Sequence, residues 1–156
     1  MENSFLIQKF YTAFANFNAE EMANCYYKEI IFEDPAFGKL NQKEETSMWK
    51  MLLERSKGNL KIEFSDVVTF EKSGSANWIA TYIFSQTNRK VVNIIDAKFE
   101  FEDGLIVKHT DHFDFYKWTK QALGLKGYLL GWSNFMRNKV RQKSKKLLQN
   151  YMQKHT

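Results

Sequence analysis

Two carboxylates and a histidine stand where a proton could be moved. The last alternating apolar segment carries His109-Thr110-Asp111-His112-Phe113. If Leu105 and Val107 point inward, alternation sends His109, Asp111 and Phe113 the same way and turns Thr110 and His112 outward. Side chains two apart on one strand face root about 6.5–7 Å from each other. His109 and Asp111 are therefore expected to meet one ligand or water together without bonding each other tightly. A third group, Asp34, precedes the only proline in Phe32-Glu33-Asp34-Pro35-Ala36-Phe37-Gly38, where it can act as a base or close an Asx-turn. Charge buried without a partner is costly, so such groups either pair or serve a ligand. An apolar wall that raises one carboxyl, so that it can donate while another accepts, gives general acid/base chemistry. Proton shuffling beside a carbonyl, ring closure and epoxide opening all fit that description.

Other chemistries find little support. His109, Asp111, His112 and Asp114 divide between the two strand faces, so no metal site is expected. No serine or cysteine has a base at hand and no glycine-rich phosphate loop occurs, so no cofactor is expected. The single cysteine, Cys25, excludes an internal disulfide and a cysteine-based zinc cluster, and reads as a small core residue.

The elements that must position these groups follow from periodicity. Residues 4–17 have helical spacing, with Ser4 as a candidate N-cap. Asn18 and Glu21 resemble a capping box opening a short helix to about Tyr26. Ile30-Ile31-Phe32 begins a short strand that ends in the proline turn. Residues 41–57 are helical, with Met48, Trp49, Leu52 and Leu53 on one side and Gly58-Asn59 as the stop. The period then changes to alternation over four segments, residues 61–71, 76–87, 89–102 and 105–116, with hairpin signals at Thr87-Asn88 and Asp103-Gly104. The fold predicted is α+β: a cone-shaped, curved antiparallel sheet wrapped over N-terminal helices. Tyr82 and Phe84, with Asn93 on the following strand, should line the cavity, and Trp49 and Trp78 should wall it.

The order of elements, the Glu33-Asp34-Pro35 turn, Asn88-Arg89-Lys90-Val91-Val92 and Asp103-Gly104-Leu105-Ile106-Val107 resemble the nuclear transport factor 2-like superfamily, in particular ketosteroid isomerase and the SnoaL-like polyketide cyclases. The resemblance covers roughly residues 5–116. It implies that Asp34 is a general base, as in the isomerase, and that Asp111 is an acid/base group, as in the cyclases. His109 would serve as an acid or an orienting group. The isomerase also needs a tyrosine on the first helix. Counting back from Asp34 puts Phe10 there, with Tyr11 one residue on, and both are placed in the substrate pocket with Phe113. The isomerase's strand acid falls on Ala97. Asp96 lies one residue early on the solvent face, and only a bulge near residue 97 would bring it inside.

On this reading residues 1–117 form the SnoaL-like domain, and residues 118–156 form a basic amphipathic helical extension packed on it. All 18 acids precede Phe115 and accompany 13 basic residues, whereas residues 115–156 hold ten Lys and Arg and no acid. A helix over about residues 128–152 carries an apolar stripe of Trp132, Met136, Val140, Leu147, Leu148 and Tyr151. A packing or homodimer role is preferred for it, a membrane surface is second, and nucleic acid is disfavoured for want of a motif. No run of 18 apolar residues and no leader-like start is present, so a soluble, cytoplasmic protein is expected. The partner expected in the cone is a small apolar, ring-bearing molecule. The competing expectation is a binding or interaction module of the same fold without catalysis.

Overall fold

Helix α1 (Glu2–Ala15) buries Ile7, Phe10, Tyr11 and Phe14, one side of a 3.6-residue period. The computed structural model describes residues 2–155. Because α1 begins at Glu2, Ser4 lies inside its first turn and does not cap it. Asn18 does cap α2 (Ala19–Asn24), its side chain accepting from the Glu21 N–H. That helix stops at Asn24, so Tyr26 opens strand β1 (Tyr26–Asp34), which starts four residues earlier than the sequence suggests. After the Pro35 turn, β2 (Gly38–Leu40) folds back on β1, pairing Leu40 with Phe32. Helix α3 (Gln42–Ser56) opens with a reciprocal capping box between Asn41 and Glu44. It closes at Lys57 in the left-handed region, φ 50°.

Strands β3 (Leu60–Thr69), β4 (Ser73–Phe84), β5 (Arg89–Glu102) and β6 (Leu105–His112) form the expected antiparallel meander. β1 joins it parallel to β6, so the six-stranded curved sheet, in the order β2-β1-β6-β5-β4-β3, is open and mixed. Burial along β5 alternates strictly: Val91, Asn93, Ile95, Ala97, Phe99 and Phe101 face inward. Asp96 is exposed on the outer face, so no bulge rescues it.

The C-terminal extension departs most from expectation. Asp114 caps α4 (Phe115–Leu123) by accepting from the Lys117 N–H, which ends β6 at His112 rather than at Tyr116. Helix α5 (Leu125–Leu130) lies on α4 through Gly127 and Gly131; a Cβ on either would overlap Thr119. Its glycine side faces in, so Leu125, Tyr128, Leu129 and Trp132 are exposed. Trp132, expected to lead the apolar stripe of the last helix, is therefore outside it. Helix α6 (Asn134–Lys154) packs on α3 through Val140, Leu147, Leu148 and Tyr151.

Between Arg89 and Ile95 the edge of β5 is not covered by β6, whose pairing starts at Asp96. Helix α4 runs along that edge. The Gln121 side chain accepts from the Val92 N–H (2.8 Å) and donates to the Val92 carbonyl (3.1 Å). Arg89 Nε donates to the Gln121 carbonyl at 2.7 Å.

Candidate active site

A solid aromatic plug fills part of the core. Phe10 packs edge-on against Tyr11, Trp49 and His109, with centroids 5.1, 6.1 and 5.6 Å away, and Tyr11 stacks on Phe64 at 5.4 Å. Both are fully buried and neither lines the cavity, so their assignment to the substrate pocket is corrected: α1 uses them to build the aromatic core. Phe14, one turn on, reaches the cavity instead. The cavity above the plug has a volume of about 500 Å³. Trp49, Trp78, Tyr82, Phe84, Asn93 and Phe113 line it, together with Asp34 and Asp111.

Strand β6 supplies Asp111, though not by simple alternation. Phe101 pairs with Ile106 and Glu100 with Lys108, leaving Val107 as an extra residue. Ile106 is wholly buried and Leu105 only half so, which is the opposite parity from that assumed in the sequence. The bulge restores the phase, and His109, Asp111 and Phe113 do face inward.

His109 and Asp111 bond directly, Nε2 to Oδ1 at 2.8 Å, correcting the expectation that neighbours on one strand face would stay apart. The side chains close a gap that the backbone spacing leaves. His109 is fully buried and does not line the cavity. The Tyr26 hydroxyl lies 2.7 Å from His109 Nδ1. Burial holds the Tyr26 phenol well above its ordinary range, so it keeps its proton. The arrangement that satisfies all three groups is Tyr26 O–H donating to Nδ1 and Nε2–H donating to Asp111. His109 thus bonds Asp111 on one side and Tyr26 on the other, away from the cavity surface. Trp78 Nε1 also donates to Asp111 Oδ1, at 3.3 Å.

Asp34 is held in the same manner. Its Oδ1 accepts from the backbone N–H groups of Ala36 (3.0 Å) and Phe37 (2.6 Å), the Asx-turn the proline context allows. Among the described residues no hydrogen bond falls on Oδ2 of Asp34 or of Asp111. Burial pushes the Asp34 carboxyl up to about 7; the Phe37 N–H pulls against this, and the negative charge of Asp111 adds to it. Tyr82 accepts from Trp118 Nε1 at 2.7 Å and keeps its own hydroxyl proton available. Burial raises Tyr82 to about 12, against the Trp118 bond and with help from the Asp34 charge.

Two buried groups were not read from the sequence. Glu45, on α3, is fully buried; burial lifts its carboxyl to about 8, and Thr46 donates to Oε1 at 2.8 Å. The Trp49 indole N–H lies beside Glu45 and Tyr26 and favours their charged forms, yet reaches hydrogen-bond geometry with neither. The signal for Glu45 was present: Met48, Trp49 and Leu52 stand three, four and seven residues on, so it shares their inward face. Tyr26 was hidden because the helical pattern opened by Asn18 runs on to it, whereas α2 stops at Asn24. Among the described residues no group of three or more His, Cys, Asp or Glu side chains converges to hold a metal.

The SnoaL-like domain family matches residues 7–109. No curated protein matches the chain by sequence. Among solved structures, IdmH of Streptomyces antibioticus, a candidate polyketide cyclase, superimposes with a TM-score of 0.65 at 17% identity, covering 78% of this chain and 98% of that one. An epoxide hydrolase of the LEH-like type from M. tuberculosis gives 0.62 at 20% identity, covering 82% and 95%. A candidate polyketide cyclase from Xanthomonas campestris pv. campestris gives 0.62 at 16% identity, covering 77% and 96%. These likenesses show the nuclear transport factor 2-like fold. Asp111 and all of α4, α5 and α6 lie beyond the family-matched residues.

Proposed function

The chain belongs to the SnoaL-like domain family, and on that premise we propose that it is a general acid/base enzyme that isomerises or cyclises an apolar, ring-bearing carbonyl compound. One observation carries this reading. Asp34 and Asp111 line the same mostly apolar cavity, each anchored through Oδ1, each with Oδ2 unclaimed among the described residues. A turn carboxylate needs only one oxygen, and its other oxygen is best solvated in water; two carboxylates bordering one apolar cavity are costly unless a ligand there uses them.

The chemistry balances with these groups alone. Ionised Asp34 removes a proton from carbon beside a carbonyl, and the electron pair moves onto the carbonyl oxygen. Tyr82 O–H donates a hydrogen bond to that oxygen, where charge develops. In an isomerisation Asp34 returns the proton at another carbon; in a ring closure the carbanion attacks a second carbonyl and the resulting alkoxide takes the proton. Asn93, whose side chain accepts and donates no hydrogen bond among the described residues, adds a second polar contact on the wall. Asp111, held by His109 and Trp78, orients the substrate's far polar group or takes the second proton. Tyr82 thereby fills the role for which α1 offers no cavity-facing tyrosine, and Trp118 of α4 holds it in place.

A base must be ionised, and Asp34 loses its proton at about 7. Turnover of an identified substrate is expected to rise tenfold per pH unit below that value and to level off above it. Asp34→Asn should lower the rate by roughly 10²–10⁴-fold and abolish that limb. A second measurement isolates Tyr82. Tyr82→Phe keeps the ring and loses the donor, and is expected to lower kcat by roughly 10²-fold with little change in KM. Full activity in Asp34→Asn would end the enzymatic reading and favour a binding module without catalysis.

A further inference from the structure

The charged groups on the cavity wall are sorted by depth. The carboxylates Asp34 and Asp111 are half-buried and buried, whereas Arg55, Lys126, Lys139 and Lys143 are exposed and therefore stand at the mouth. Among the described residues no other Asp, Glu, Lys or Arg borders the cavity. Three of the four cations come from the extension that lies beyond the family-matched residues.

These cations have no acid to answer them. None takes part in an ion pair among the described residues: Arg55 reaches only Ser85 Oγ, at 3.4 Å, and Lys139 only the Phe135 ring, at 5.9 Å. The segment that supplies the lysines contains no acid at all. Lys139 and Lys143 are four residues apart on α6, so their like charges repel along one helix face. A cleft with one sign of charge at its rim and low-dielectric walls behind it concentrates the opposite charge there. An anion deeper in the cavity would meet Asp34 and Asp111 instead.

We propose that the cavity takes an anionic amphiphile: an apolar ring-bearing body that enters the cone, with a carboxylate, sulfonate or phosphate held at the mouth against Lys126, Lys139, Lys143 and Arg55. This names the substrate class of the site described above and rests on its reading as a ligand cavity. The orientation follows from the sorting, with the anionic head outward and the reacting carbon inward beside Asp34. A cavity of about 500 Å³ lies inside the roughly 300–1,000 Å³ of small-molecule sites. Neutral hydrocarbon of the same shape would leave the rim cations unanswered.

A matched pair of fluorescent probes tests this on the full chain: 1-anilinonaphthalene-8-sulfonate and N-phenyl-1-naphthylamine, which share a ring skeleton and differ by the sulfonate. The sulfonate is expected to bind about tenfold tighter at low salt, with the preference shrinking as added salt shortens the Debye length and damps the attraction between exposed charges. In Lys126→Gln/Lys139→Gln/Lys143→Gln, three exposed changes outside the acid/base set, the preference should fall to about twofold or less, while the neutral probe binds as before. Val140→Trp, which intrudes from α6 on the cavity wall, should weaken both probes; if it does not fold, the salt series on the unaltered chain still decides. Equal binding of the two probes, or a preference untouched by the triple replacement, overturns the anionic class and leaves the cavity standing. Failure of both probes to bind, or binding indifferent to Val140→Trp, overturns the ligand-cavity reading itself.

Discussion

Asp111→Asn is expected to lower turnover by roughly 10²–10⁴-fold while leaving the fold in place, and Asp111→Ala to do the same with a large loss of stability. The difference lies in Oδ1, which accepts from His109 Nε2 and Trp78 Nε1 in a site only 5% exposed. Asparagine keeps an oxygen for these donors. Alanine strands both, and each unsatisfied buried donor costs about 1–3 kcal/mol. In a chain of this length 1 kcal/mol moves Tm by about 2–4 °C, so Asp111→Ala should melt on the order of 10 °C lower. Thermal melts and rates on the same two variants separate the roles. If Asn and Ala melted together, the His109–Asp111–Trp78 cluster would hold nothing in place, and the claim that His109 acts by positioning Asp111 would go with it.

The second large effect concerns stability alone. Glu45 is fully buried, and its carboxyl rises from 4.5 to about 8 because burial disfavours the charge. Between those values the unfolded chain has released the proton and the folded chain still holds it. Stability therefore falls as pH rises, by about 1.4 kcal/mol per unit, and levels off once the folded group ionises near 8. Asp34 contributes with the same sign up to about 7. Glu45→Met, similar in volume and unable to titrate, should remove the Glu45 share. Urea unfolding from pH 5 to 9 is expected to show the variant gaining on the unaltered chain up to about pH 8, by several kcal/mol, and keeping that gain above it. Parallel curves would mean that Glu45 is ionised in the fold or opens to water.

What could be read beforehand depended on whether local pattern decided the outcome. Helix α3 and β5 were legible almost to the residue, because Asn41, Gly58 and the Asp103-Gly104 turn fix their ends. Strict alternation placed Asn93 and Asp96 on opposite faces. Strand β6 gave the correct inward set from an incorrect premise: Val107 is an extra residue that only pairing with β5 creates, and nothing in Leu105-Ile106-Val107 announces it. The His109–Asp111 bond escaped for a related reason, since backbone spacing says where side chains root and not where their ends meet. Phe10 and Tyr11 were placed in the cavity by counting. Their actual site depends on how far α1 is driven into the cone by the rings around it. The cavity-lining side of α6 was out of reach, because a helical stripe reveals that a face is covered and not what covers it.

Gln121 gives the extension a task apart from ligands. By bonding both the N–H and the carbonyl of Val92, one side-chain amide imitates a neighbouring strand for a single residue pair, on a stretch that β6 leaves bare. An uncovered strand margin is a template on which another chain can extend the sheet. Cutting the chain before α4 would then do more than unroof the cone. It would make the domain sticky, and a loss of activity in such a truncation would measure clumping as much as chemistry.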